Sequence, residues 1–255
     1  MKPWHSIILA LFNVVLAAYL VLALTAFNHP DNSDNRCQKV EINIAEGKTN
    51  GFLTEKGVLD MLRQHDIVPL GYNPDSINIR KVEDVVKASP LVKNADACIT
   101  TDGKLIVDIT QRLPVMRVKT YNSDYFVDDS GNIMPTNNYQ SDVVIVTGYV
   151  SKGYAQRSLF PLVNTINGDE LWQQQIEQIN VTASKGIELV PRVGNHIVYI
   201  GQLPSPTTDT TDNISEFLNN KLQRLKQFYR YGLSKVGWDT YTYINLEYDN
   251  QIICK

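Results

Sequence analysis

An uninterrupted apolar run, Ile7 to Phe27 (IILALFNVVLAAYLVLALTAF), constrains this chain more than any other feature. It holds 21 residues without a charge. At about 1.5 Å of rise per residue, a helix of that length covers about 31 Å, the thickness of a bilayer's hydrocarbon core. The competing reading is a cleaved signal peptide, whose apolar region runs about 7 to 15 residues before a small-x-small site. This run is longer, and Ala23 to Ala26 offers only a weak site. The segment therefore reads as an uncleaved anchor for everything that follows it.

Orientation follows from the charges that flank the run. Lys2, His5 and the amino group stand on the short side and Asp31 and Asp34 on the other, so the positive-inside rule places the N-terminus in the cytoplasm. Residues 1–6 then form a cytoplasmic tail, residues 7–27 the transmembrane helix, and residues 28–36, rich in Pro, Asp and Asn, a linker. Asn13 is the one strongly polar residue inside the span and suits a hydrogen bond to a neighbouring transmembrane helix as well as a tolerated amide.

With 255 residues, the chain has room beyond the anchor for two modest domains of roughly 100 to 150 residues each. Once Lys2 is set aside the body carries 23 Lys and Arg against 27 Asp and Glu and has no polybasic run, which argues against nucleic acid as a partner. The 13 tyrosines and many β-branched residues favour sheet and argue against disorder. Cys37, Cys98 and Cys254 are too few and too scattered for a disulfide framework, and whether Cys37 and Cys98 meet is open.

The first module, residues 37–112, begins where Val40, Ile42 and Ile44 alternate with Glu41 and Asn43, the period of a half-buried strand; Gly47 to Gly51 then break it. Thr54 is placed to cap a helix, with Leu53 and Val58 in staple geometry and Val58, Leu59 and Leu62 as its stripe as far as His65. A second helix starts near Asn78, shows Val82, Val85 and Val86 on one face, and closes at Ser89-Pro90. Leu91 to Thr100 and Lys104 to Thr110 are β-prone runs joined through Asp102-Gly103, which suits a tight turn. The predicted order is β-α-α-β-β.

That order just outside a membrane anchor resembles a POTRA domain. The stretches Ser89-Pro90-Leu91-Val92-Lys93-Asn94-Ala95, Leu105-Ile106-Val107-Asp108-Ile109 and Gln111-Arg112-Leu113-Pro114-Val115-Met116 resemble the FtsQ/DivIB family of bacterial cell-division proteins, in which a POTRA hairpin leads through an Arg-x-Pro step into the next domain.

The second module, residues 113–255, opens with Asp124 to Ile133, which reads as strand, Asp-Ser-Gly turn and strand. Asp128 and Asp129 are adjacent, and neighbours in a strand face opposite ways, so they read as turn chemistry and not as a converging pair of catalytic acids. Val143 to Val146, Gln178 to Ala183, Ile187 to Val190 and His196 to Ile200 are further strands, with Arg192 to Asn195 a turn. Asn213 and Glu216 have capping-box spacing, followed by a stripe of Phe217, Leu218, Leu222, Leu225 and Tyr229. The face bearing Lys221, Arg224, Lys226 and Arg230 reads as a solvated surface. Tyr241 to Tyr248 and Gln251 to Cys254 read as two strands around Asp249-Asn250. This ending, from Lys235-Val236-Gly237-Trp238 to Ile253-Cys254, resembles compact members of the same family, with Glu247 where many members have arginine.

The fold class expected is α+β: a transmembrane helix, a POTRA domain and a β-sheet domain with flanking helices. His5, His29, His65 and His196 lack any metal spacing, and no nucleophile elbow, P-loop or dinucleotide fingerprint occurs, so no catalytic, metal or cofactor-binding residue is nominated. Asn180-Val181-Thr182 and Asn213-Ile214-Ser215 match glycosylation sequons, which are short enough to occur by chance. The means of action left are surfaces. A sheet edge near Tyr248, Asn250, Gln251, Ile252 and Ile253 is expected to take a partner strand by β-augmentation; the alternative is that this strand is paired internally and inert. The family resemblance implies that FtsB, together with FtsL, is the partner among other divisome membrane proteins, in an inner-membrane scaffold that regulates septal wall synthesis with its bulk in the periplasm. Two other classes remain open: a POTRA-containing transport or outer-membrane-assembly component, and a membrane-anchored extracytoplasmic enzyme.

Overall fold

A computed structural model describes residues 3–26, 36–45, 53–67, 69–136, 141–204 and 210–255. Phe27, most of the expected linker, and Gly47 and Gly51 lie outside these residues. Helix α1 (Pro3–Ala26) contains Ile7–Leu24, whose mean hydropathy is 2.8 and of which none is buried against the rest of the chain. It fits a single-pass membrane anchor.

The first module contains β1 (Lys39–Ala45), α2 (Glu55–Gln64), a 3-10 turn (Pro74–Ser76), α3 (Ile79–Lys87), β2 (Val92–Ile99) and β3 (Lys104–Gln111). The predicted cap at Thr54 is made, its Oγ1 accepting from the Gly57 amide at 3.1 Å, and Asn78, near which the second helix was expected to start, caps it, its Oδ1 accepting from the Lys81 amide at 3.0 Å. The sheet order is β1-β3-β2, with β1 parallel to β3 and β2 antiparallel to it. Val58, Leu62, Val82 and Val86 of the helices pack on Leu105, Val107 and Ile109 of β3. Each of these buried aliphatic side chains contributes about 1.5 to 3 kcal/mol. The outer edge of β2 is occupied, because Glu83 of α3 accepts from the Ala97 amide at 2.9 Å.

The second module is built on β4 (Pro114–Lys119), β5 (Asp124–Asp128), β6 (Ile133–Pro135), β7 (Val144–Gly148), β8 (Ile176–Val181), β9 (Gly186–Pro191), β10 (Ile197–Gln202), β11 (Tyr243–Asn245) and β12 (Ile253–Cys254). These form one nine-stranded sheet in the order β12-β11-β10-β9-β8-β7-β4-β5-β6. Three neighbouring pairs are parallel: β4 with β7, connected through β5 and β6, and two whose connections are helical. β7 pairs with β8 and β10 with β11 in parallel, and a parallel pair needs a long crossover between its strands. The first crossover holds α4 (Lys152–Tyr154), a π turn (Ala155–Leu159), α5 (Phe160–Asn167) and α6 (Glu170–Gln175). The second holds α7 (Thr210–Phe228), a π turn (Tyr229–Leu233) and α8 (Ser234–Val236).

Leu159, Leu162, Val163 and Ile166 from the first crossover and Leu218, Leu222 and Leu225 from the second form one core with Val146, Ile179, Leu189, Val198 and Ile244 of the sheet. The first π turn has a chemical cause: Pro161 has no N–H to give the Arg157 carbonyl, so the α-helical ladder is interrupted there. Gly148, at φ +89°, ends β7 where the chain runs against β8; an added Cβ would lie 2.1 Å from the Val181 carbonyl oxygen. Helix α7 starts at Thr210, three residues before Asn213, where a capping box was expected.

The Arg-x-Pro step joins the modules. The Arg112 amide donates to the Leu91 carbonyl at 2.9 Å and its Nε to the Val92 carbonyl at 3.1 Å. Arg112 Nη1 reaches Asp128 Oδ2 at 2.6 Å, while Asp128 Oδ1 accepts from the Ser130 and Asn132 amides at 2.9 and 2.7 Å. Burial opposes the Asp128 charge, but the bonds from Arg112, Asn132 and Ser130 outweigh it and hold this carboxyl below the ordinary carboxylate value. Asp129 points elsewhere and pairs with Lys93 at 2.8 Å. The two carboxylates thus take different partners, Asp128 at the end of β5 and Asp129 in the turn that follows, and both tie one module to the other. Leu91, Phe126 and Met134 are buried together at this junction.

Candidate docking edge

The two outer strands of the large sheet are β6 and β12. β12 pairs antiparallel with β11, Ile244 opposite Cys254 and Asn245 opposite Ile253. The Lys255 amide donates to the Tyr243 carbonyl at 2.9 Å and the Tyr243 amide to the Lys255 carbonyl at 3.2 Å, so these residues form a hydrogen-bonded pair. In an antiparallel ladder such pairs alternate with non-bonded ones, which turns the Cys254 N–H and C=O away from β11 and onto the open side of the strand. A further strand laid against β12 meets these groups.

Of the five residues expected at this site, Ile253 lies in β12 and is 38% exposed. Tyr248 and Asn250 belong to the preceding turn and Gln251 and Ile252 lead out of it. Tyr248 is exposed, whereas Ile252 is half-buried and packs on the core. Glu247 directs its carbonyl inward to Lys221, and its amide donates to Asn245 Oδ1 at 2.7 Å. An open cleft of about 620 Å³ runs beside the turn, lined by Arg224, Phe228, Tyr231, Asp249, Gln251 and Ile252.

Helix α7 and its π turn support these strands from behind. Lys221 is buried, which corrects its placement on a solvated face: its Nζ donates to the Glu247 carbonyl at 2.8 Å and to Asp249 Oδ1 at 2.9 Å. This hydrogen bond from Lys221 holds the exposed Asp249 carboxyl below the usual range. Arg224 Nη2 donates to the Gln251 carbonyl at 2.7 Å. A signal for Lys221 was present in the sequence, since it stands three residues after Leu218 and four before Leu225, both buried.

Deeper in the same end, His196 Nε2 lies 2.7 Å from the Tyr229 hydroxyl, and the Tyr229 ring packs edge-on against His196 and Trp238 at 5.5 and 5.1 Å. Burial pushes the Tyr229 hydroxyl pKa up, keeping it protonated, and pushes that of His196 down against a smaller opposing pull from Asp239. His196 is thus a core residue. Cys37 is buried, Cys98 is exposed, and both are free thiols. Among the described residues, no group of three or more His, Cys, Asp or Glu is placed to hold a metal ion.

A tethered chain with a β-α-α-β-β module, an Arg-x-Pro joint and a nine-stranded sheet open at β12 has the build of a scaffold that works through surfaces. Comparison with known families agrees. The POTRA-like domain model matches residues 35–110, and the model described as FtsQ/DivIB, C-terminal related, matches residues 113–255. The chain belongs to the FtsQ/DivIB, C-terminal related family, and this membership supports a division-associated scaffold role. No curated protein matches the chain in sequence.

Proposed function

We propose that this protein is a non-catalytic divisome scaffold that takes a strand of an FtsB-type partner, bound with an FtsL-type partner, onto β12, and so helps regulate septal peptidoglycan synthesis. The observation that carries this reading is the open side of β12, with the Cys254 N–H and C=O turned outward beside Ile253. Main-chain bonds of that kind supply affinity, and side chains at alternate positions supply selection. Family membership adds the division-associated setting. In this reading α1 holds the body on the periplasmic side of the inner membrane, with residues 1–6 in the cytoplasm. Confinement to the same membrane as its partners raises their effective concentration.

Glu247 bears on selection. Where many family members carry arginine, this chain places a carboxylate near Tyr199, so any partner charge recognised there is opposite in sign to the one arginine selects. The test is capture of the periplasmic part of FtsB by the full-length protein. Ile253→Asp and Tyr248→Asp are expected to abolish capture, and Cys254→Pro, which removes the outward donor, to do the same. Unchanged capture by variants that fold normally would sink the reading.

A further inference from the structure

Lys221 is 3% exposed, although its side chain ends in an ammonium group, while Lys226 of the same helix is exposed and Arg224 half-buried. An ammonium removed from water is tolerated only where acceptors replace its hydration. Its acceptors are the Glu247 carbonyl at 2.8 Å and Asp249 Oδ1 at 2.9 Å, and the Phe217 ring centroid stands 5.3 Å away. Both oxygens belong to the segment that leads into β12. The environment that makes the buried charge acceptable therefore exists only while that segment is seated on α7. Arg224 adds a second hold on the far side of the turn, through the Gln251 carbonyl at 2.7 Å.

The strand itself contributes little to its own placement. β12 is two residues long; it pairs with β11 at Ile244–Cys254 and Asn245–Ile253, and the pairing runs on through Tyr243 and Lys255 with a bond from the Thr242 amide to the Lys255 carbonyl at 2.7 Å. So short a pairing is marginal in water by itself. We infer that Lys221, seconded by Arg224, is the positioning residue that presents β12: it fixes the 247–251 turn so that the outward groups of Cys254 are in register before an extended partner segment arrives. Fixing the edge in advance removes an ordering cost from binding. The inference rests on the reading of β12 as the docking edge and assigns that edge its support.

Hydrogen exchange and capture separate the two ideas. The full-length protein in detergent micelles is compared with Lys221→Met, which keeps the stem and removes the charge, and with Lys221→Arg, which keeps the charge. In Lys221→Met the amides of Ile253 and Lys255 are expected to exchange at least about tenfold faster while those of β8 and β9 do not change. Capture of the FtsB probe is expected to weaken by a similar factor, and Lys221→Arg to recover part of both. Should Lys221→Met fail to fold, Arg224→Gln, which removes the Gln251 contact and a charge near Asp249 but leaves Lys221 in place, is expected to show a smaller change with the same local pattern. Unchanged exchange at residues 253–255, or acceleration spread across β8 and β9, overturns the inference. Faster local exchange with undiminished capture overturns the docking reading of β12 instead, and with it the presenting role of Lys221.

Discussion

At the β6 end of the large sheet Arg112 meets a carboxylate with no exposed surface, Asp128, whereas at the β12 end Lys221 meets one that is 88% exposed, Asp249. Each cation also takes a main-chain carbonyl, from Val92 in one case and Glu247 in the other. The surroundings differ in the same sense. β6 is three residues long and ends in Pro135, which has no N–H to offer a further strand, and its Met134 is buried with Phe126 and Leu91. β12 contains no proline, and Ile253 is exposed. One end of the sheet is closed and cemented to the neighbouring module. The other is held in shape while its outer side stays open, which is what a surface for strand addition requires.

Breaking the closed end carries the largest expected effect. Asp128→Ala leaves Arg112 without its carboxylate and the Ser130 and Asn132 amides without their acceptor. The expected loss is about 3 to 5 kcal/mol in chemical denaturation, the range for removing one partner of a buried pair. A loss well under 1 kcal/mol would mean that the joint is not fixed through this carboxylate. Leu91→Ala acts on the same junction without touching a charge. Its expected cost is about 2 kcal/mol, the low end for a buried leucine, because the cluster it shares with Phe126 and Met134 is small and open to collapse. The two modules are then expected to unfold in separate transitions if Leu91 and Arg112 together make them one cooperative unit.

The closed end was the more legible in sequence. The Asp-Ser-Gly turn between two short β-prone runs marked β5 and β6, and Thr54 and Asn78 marked both helices of the first module. All are local signals. The helices of the first crossover were missed because Pro161 sits among Leu159, Leu162 and Ile166 and breaks the pattern that would have announced them. The parallel pairing of β7 with β8 and of β10 with β11 was out of reach, since no local signal records which distant strands become neighbours. At the candidate docking edge, tyrosines at 241, 243 and 248 favour strand throughout, yet β11 ends at Asn245 and the Tyr248 region turns away. That is why Ile253 alone of the five expected residues lies in β12. The role of Arg112 was visible only as a family step, and that of Lys221 only after residues 247–249 were seen to fold over it.

Acidity distinguishes the two ends and gives the mildest test. Asp128 is held below the ordinary carboxylate pKa in the folded chain, so its contribution is present above about 3.9 and is lost as the pH falls through its lower folded value. His196, behind β10, has its pKa depressed chiefly by burial, so below about 6.5 the unfolded chain takes up a proton that the folded chain resists. Stability should therefore decline from pH 7 toward pH 5 through the open end while the Arg112 joint keeps its charge pair. In hydrogen exchange, amides of β10 and β11 should lose protection over that interval before those of β4 and β5 do. His196→Gln should flatten the decline, because glutamine does not titrate. If the slope persists in that variant, the proton uptake lies elsewhere, and the contrast between the two ends then rests on their geometry alone.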